Sequence, residues 1–273
     1  MGRMNLADRG FTKSIPQLYD HYLVPMIFEP YAEDLAARAA ALRPGRLLEI
    51  SAGTGVLTRH LVGELPDNVD IVASELNATM LDMAATRGTE RPVEWRLADA
   101  AELPFADESF DLVACQFGVS LFADRPRAFA EIRRVLKADG VFLFNVWDHL
   151  DSNELAETIT HALAQAFPDD PPRFLARTPH GCHDIHALRQ ELVDAGFEHE
   201  ADIVTLPMRA CAESPSQPAL GFCQGTPLRA EIEKRAPGRL PEMTAYAARA
   251  IGERFGVGPL DTLMQAHVVI VGH

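Results

Sequence analysis

The sequence predicts an α/β fold, a mostly parallel sheet with helices on both faces. Three observations predict it. Strand-like and helix-like segments alternate from residue 46 to residue 147, as the crossover connections of a parallel sheet require. The run Val141-Phe142-Leu143-Phe144-Asn145-Val146-Trp147 is nearly continuous in apolar residues, as a strand covered on both faces must be. Finally, Leu47-Leu48-Glu49-Ile50 runs into Ser51-Ala52-Gly53-Thr54-Gly55 and then into a helix start. That order of strand, glycine turn and helix is how such sheets present a nucleotide-like ligand.

Each element has its own local reason. Residues 16–21 and 25–41 read as two N-terminal helices, the second amphipathic with Leu35 and Leu42 among alanines and ended by Pro44-Gly45. In the turn after the first strand, Gly53 and Gly55 let the backbone bend sharply and a ligand approach closely. Residues 70–75 form a second strand ending in Glu75, and Asn77 is a good N-cap for a helix over 77–86. Residues 93–98 form a third strand, followed by Asp99-Ala100, and a fourth strand opens at Asp107 and runs to Cys115. Past Asp148 a helix over 151–167 is broken by Pro168-Asp169-Asp170-Pro171-Pro172, and a helix over 184–195 closes at Gly196. Strands at 199–209 and 267–271 flank a helical stretch at 213–256. With no repeat or linker, one domain is expected: a helical segment at 1–44, a ligand-binding core at 45–148, and a part at 149–273 that completes the sheet. The segments at 150–180 and 213–258 read as a lid.

Composition narrows the function. A chain of 273 residues with 47% apolar content builds a large core. No run approaches ~18 apolar residues, so no membrane span is expected. Met1-Gly2-Arg3-Met4 is followed by no apolar stretch, so no secretory signal is expected and a cytoplasmic location is. Cys115, Cys182, Cys211 and Cys223 form no C-x-x-C pair and read as reduced thiols. A net charge of −14 opposes a nucleic-acid substrate, which calls for a basic stripe. Arg125, Arg127, Arg133 and Arg134 lie on a helix interleaved with acids. A small organic partner is favoured; oligomeric state is not readable.

The glycine turn admits two ligands. A dinucleotide site asks for G-x-G-x-x-G and a helix N-terminus facing a pyrophosphate, but Thr58 occupies the third glycine position. Glu49, at the mouth of the turn, repels a diphosphate and suits a ligand carrying an ammonium and a sulfonium, as S-adenosylmethionine does. Glu75, 22 residues beyond Gly53, can accept both ribose hydroxyls of an adenosine, a spacing shared with NAD enzymes. Asp99 can accept the adenine amino hydrogen while Ala100 leaves room for the ring.

Residues 45–148 resemble the class I methyltransferases of the menaquinone/ubiquinone-biosynthesis type. Glu49 to Gly55 is similar to the family's first motif, and Glu75, Asn77, Met80 and Leu81 to its acid-x-Asn-x-x-Met-Leu pattern. Asp99-Ala100, Leu103-Pro104-Phe105 and Ser109-Phe110-Asp111 match the third and fourth motifs. Leu136-Lys137-Ala138-Asp139-Gly140 resembles the turn into the fifth strand. The resemblance implies a Rossmann-like seven-stranded sheet with an antiparallel final strand, and S-adenosylmethionine as cofactor. It implies cofactor contacts at Glu49, Ser51, Ala52, Gly53, Gly55, Thr58, Glu75, Leu76, Met80, Asp99, Ala100 and Gln116. Ser51 stands where the family often has glycine, beside the expected methionine moiety, and Ala138-Asp139 replace Pro-Gly.

The acceptor leaves a fainter trace. Methyl transfer from a sulfonium is an in-line displacement that alignment and exclusion of water accomplish, with a general base needed only for some acceptors. His149 and Tyr22 are the candidate bases, with Tyr19 and His21 beside Tyr22; Phe167, Phe174, Leu175 and Phe222 could line an apolar pocket. His180-Gly181-Cys182-His183-Asp184-Ile185-His186 invites a metal reading, but no second Cys/His cluster follows and Asp184 begins a helix, so no metal is expected. An NAD-type oxidoreductase and a non-catalytic S-adenosylmethionine sensor are the alternatives.

Overall fold

The structure, a computed structural model, describes residues 15–273; the segment Met1-Gly2-Arg3-Met4 lies outside the described residues. Seven strands, β1 (Arg46–Ile50), β2 (Asp70–Glu75), β3 (Glu94–Leu97), β4 (Phe110–Gln116), β5 (Leu136–Trp147), β6 (Asp202–Ala212) and β7 (Leu260–Gly272), form one sheet. Their order is β3-β2-β1-β4-β5-β7-β6. The pairs β1–β2, β1–β4, β2–β3 and β4–β5 are parallel. The last strand runs the other way. His273 N–H donates to Gly140 O near the start of β5, and Asp148 N–H donates to Gln265 O at its end, so β7 recedes as β5 advances. The mostly parallel sheet is the fold the sequence pattern predicts, and the seven strands with one antiparallel are what the family resemblance implies.

The described helices are α1 (Ile15–Leu18), α2 (Glu29–Leu42), α3 (Val56–Glu64), α4 (Ala78–Arg87), α5 (Arg125–Val135), α6 (Glu154–Ala166), α7 (Phe174–Arg177), α8 (Ile185–Asp194), α9 (Ser216–Gln224), α10 (Leu228–Arg235) and α11 (Leu240–Phe255). A π-helical run, Tyr19–Phe28, joins α1 to α2. The chain divides into two compact units. One comprises Tyr31–Val146, Cys182–Leu206 and Ala266–His273, with most of the sheet. Its core packs Phe129, Phe142 and Phe144 against Leu188, Leu192 and Phe197, with the Phe142 and Phe144 rings stacked at 4.4 Å. The other comprises 15–30, Trp147–Gly181 and Pro207–Gln265, in which α6 and α9 pack against α11. There α9 also meets the π-helical run. A Cβ on Gly221 would lie 2.7 Å from Leu23 Cδ2, and one on Gly225 would lie 2.9 Å from Tyr19 N. Glycine at both positions is what lets the two backbones approach.

Four expectations need correction. The two N-terminal helices are one helical run, because a π turn absorbs Pro25, which has no N–H and crowds the preceding carbonyl. Glu29 N–H reaches back five residues to Val24 O. Strand β5 begins at Leu136, across a bulge opposite β4, so Ala138-Asp139 lie within it and not in a turn. Strands β6 and β7 start at Asp202 and Leu260. In β7 the buried residues Leu260, Thr262, Met264 and Ala266 alternate with more exposed ones, a period of two that extends the apolar run at 267–271. The stretch at 213–256 is three helices, interrupted at Thr226-Pro227 and before Leu240.

Candidate functional site

The order of strands reverses between β1 and β4, and ligands of open α/β sheets sit outside the carboxyl ends of strands at such a point. Glu49 is the fourth residue of β1 and only 1% exposed. Thr58, in the first turn of α3, donates its Oγ1 hydrogen to Glu49 Oε2 at 2.6 Å and is itself fully buried. Burial pushes the Glu49 carboxyl up to about 8, against the Thr58 hydrogen bond and the Arg59 charge that favour its ionised form. Sequence spacing put Glu49 at the mouth of the turn; the structure puts it beneath, because α3 covers that face of the strand.

Above it the backbone is left-handed three times, with φ of +56° at Ser51, +58° at Gly53 and +80° at Gly55. The two glycines serve different ends. A Cβ on Gly53 would meet nothing within 4 Å, so this position opens outward. A Cβ on Gly55 would lie 3.2 Å from Ala84 Cβ, from the Trp95 ring and from the Arg59 guanidinium, so its role is close packing. Ala52 N–H donates to Ser74 O at 3.0 Å, tying the loop to β2. Glu75 completes the tie, accepting from Gly53 N–H at 3.0 Å and from Asn77 N–H at 2.8 Å. Burial raises its pKa, while the N–H groups of Asn77, Gly53 and Leu76 pull it down. Asn77 Oδ1 in turn caps α4, accepting from Thr79 N–H and Met80 N–H; the Met80 side chain is buried.

Glu75 is only half-buried, and the residues around it make a strip suited to an adenosyl group. Leu76, 47% exposed, follows it, and Leu97, 58% exposed, is its register partner on β3. Such exposure of large apolar side chains at strand tips suits the face of a flat ring. Asp99 Oδ1 accepts from Ala101 N–H at 2.9 Å, and its other oxygen has no hydrogen-bond partner among the described residues; Ala100 is half-buried beside it. Two carboxylates along the strip oppose a diphosphate. An outward-opening Gly53, the unengaged Asp99 oxygen and the exposed leucines fit the adenosyl group of S-adenosylmethionine.

The other bank of the switch point is held by Gln116, which the resemblance named, and by Phe117, Gly118 and Asn145, which sequence reasoning missed. Gln116, half-buried, ends β4, and Phe117 follows with φ +55°, a conformation that a bulky residue adopts only when its surroundings impose it. Phe117 N–H donates to Asn145 Oδ1 at 2.9 Å, and its ring meets Tyr31 edge-on at 5.3 Å. A Cβ on Gly118 would lie 2.4 Å from Ser51 Cβ. Ser51, in place of a glycine, is thus accommodated by a glycine opposite. The available signal was Asn145 itself, a polar residue in an apolar strand.

The acceptor-side candidates belong to the other unit. His149 caps a short turn, its Nδ1 accepting from Asp151 N–H at 3.3 Å, with the Asp151 carboxylate 3.4 Å from the same nitrogen. Tyr22 packs edge-on against His21, and Phe174, Leu175 and Phe222 are buried. Among the described residues no three His, Cys, Asp or Glu side chains gather to hold a metal. Cys182 Sγ instead accepts from the Arg125 guanidinium at 2.8 Å, and His180 Nδ1 bonds to Asp148 O at 2.8 Å.

Comparison with known proteins adds a family. Residues 48–144 match the family model described as a methyltransferase domain. The ubiquinone/menaquinone biosynthesis C-methyltransferase UbiE of Shewanella frigidimarina is 31% identical over 176 residues, covering 58% of this chain and 69% of its own. Among solved structures, phosphoethanolamine N-methyltransferase 2 of Haemonchus contortus, in complex with S-adenosyl-L-methionine, superposes with a TM-score of 0.62 at 16% identity. It covers all of this chain and 60% of its own. The YcgJ protein of Bacillus subtilis superposes with a TM-score of 0.55 at 20% identity, covering 89% of this chain and 98% of its own. Those two likenesses concern the fold.

Proposed function

Because this chain belongs to the class I S-adenosylmethionine-dependent methyltransferases, we propose that it carries the methyl group to a small organic acceptor by in-line displacement. It is an enzyme, and S-adenosylmethionine is its cofactor. The observation that carries the reading of its site is the row of acids at successive strand tips, Glu49, Glu75 and Asp99, around a left-handed glycine turn. When bound, the cofactor supplies a methyl group whose bonding pair returns to sulfur as the acceptor's electron pair forms the new bond.

The chain's own residues position and desolvate. After accepting from Gly53, Asn77 and Leu76, the Glu75 carboxylate keeps acceptor capacity for the ribose hydroxyls. The free oxygen of Asp99 takes the adenine amino hydrogen, with Leu76 and Leu97 against the ring. Glu49, ionised by a nearby positive charge, balances the ammonium and sulfonium from below. Gln116, Ser51 and Ala52 line the way toward sulfur. No fixed base is needed beyond orientation, since alignment is the larger part of such a reaction; His149 and Tyr22 are the candidates should the acceptor have to lose a proton.

A cyclic acceptor is favoured by the relatives that act in ubiquinone and menaquinone biosynthesis. The net charge of −14 argues against a nucleic-acid acceptor. Among the described residues no helix is long and apolar enough to cross a membrane. A cytoplasmic setting agrees with four free cysteines. Calorimetric titration with adenosylhomocysteine and with NAD, followed by a methyl-release assay over a metabolite panel, tests the proposal. Adenosylhomocysteine binding with turnover is expected. Tight binding with no turnover on any acceptor favours a sensor, and preference for NAD refutes the reading.

A further inference from the structure

Asn145 is fully buried, and its amide is only half used. Its Oδ1 accepts from Phe117 N–H at 2.9 Å. That bond fixes the amide orientation, since only the oxygen can accept from an N–H. The Nδ2 group, with two hydrogens, has no partner among the described residues. A buried donor left so costs about 1–3 kcal/mol, and such groups mark places where a ligand or an internal water belongs. Phe142, Phe144 and Val146 point into the aromatic core. Asn145, out of step with them along β5, therefore lies on the opposite face.

Its place along the sheet edge says which ligand. Asp99 follows β3, Glu75 ends β2, the glycine turn follows β1, Gln116 ends β4, and Asn145 is the register partner of Gln116 on β5. A cofactor laid with adenine at β3 and ribose at β2 directs its sulfur past β1, so the acceptor arrives at the tips of β4 and β5. There the left-handed Phe117, fastened by Asn145, holds the turn.

We propose that the unengaged amide hydrogens of Asn145 hold an oxygen of the methyl acceptor, which makes Asn145 a specificity-determining residue. This rests on the methyltransferase reading and adds the residue that reads the acceptor. In a dry site the bond discriminates strongly against an acceptor without that oxygen.

The test uses the whole chain saturated with adenosylhomocysteine. Calorimetry compares 1-naphthol with naphthalene, probes that differ by one oxygen. The naphthol is expected to bind about tenfold tighter or better. Asn145→Leu removes the amide hydrogens at similar volume. It should lose the preference while adenosylhomocysteine affinity stays within about threefold. Equal binding of the two probes to the wild type overturns the inference, the donor then holding only internal water. So does a variant that keeps the preference. If the variant does not fold, the wild-type comparison decides. Failure to bind adenosylhomocysteine removes the methyltransferase reading and this inference with it, whereas equal probe binding removes this inference alone.

Discussion

Replacing Glu49 by glutamine should stabilise the ligand-free protein at neutral pH and weaken its hold on the cofactor. The carboxyl is 1% exposed, and burial raises its pKa from 4.5 to about 8. A raised carboxyl contributes fully below about pH 4.5, where both states are protonated, and loses that contribution as pH rises toward 8. At pH 7 the unfolded chain has released a proton that the folded protein keeps. At 1.36 kcal/mol per pH unit, that difference costs the native state about 3 kcal/mol. Glutamine keeps an oxygen for the Thr58 hydroxyl and has no proton to lose. Scanning fluorimetry without ligand between pH 5 and 8 should show the wild-type Tm falling by about 5–10 °C relative to the variant. Binding then reverses the balance. A nearby ammonium favours the ionised carboxyl, so calorimetry of adenosylhomocysteine in buffers of different ionisation heat should detect about one proton released at pH 7. The variant should release none and bind more weakly. If wild type and variant lose stability in parallel across that range, the buried, protonated Glu49 described above is wrong.

Three further outcomes follow. Asp99→Ala should weaken adenosylhomocysteine binding by about 1–3 kcal/mol by calorimetry, leaving thermal stability nearly intact. Glu75→Ala should weaken binding at least as much and also lower Tm, because Gly53 N–H and Asn77 N–H lose their acceptor. Gly118→Ala sets a Cβ 2.4 Å from Ser51 Cβ and 2.7 Å from Cys115 Sγ. Urea denaturation should show about 1–3 kcal/mol of lost stability, partly restored by adding Ser51→Gly; no restoration would mean that Ser51 is not the obstacle.

Features that depend on near neighbours in the chain were legible in the sequence. The strand, glycine turn and helix at 47–58, the Asn77 cap and the acid ending β2 each act within a few residues. Features that depend on distant partners were not. Spacing located Glu49 along its strand but could not say that α3 covers it. Ser51 looked like a lone departure from a glycine pattern, because its compensation, Gly118, lies at the end of another strand. Asn145 and Phe117 are 28 residues apart, and only the β4–β5 register joins them. Pro25 read as a helix boundary, since nothing local announces that a π turn will carry the chain through it.

The position of β7 has a consequence for biosynthesis. It lies between β5 and β6, so β6 emerges from the ribosome with no strand beside which to settle. Until Leu260 and the residues after it appear, the outer margin of β5 presents unpaired backbone and the neighbouring apolar face stays wet. Such margins recruit other chains. Closure of this sheet is therefore a late event, and until then the nascent chain carries an open strand margin.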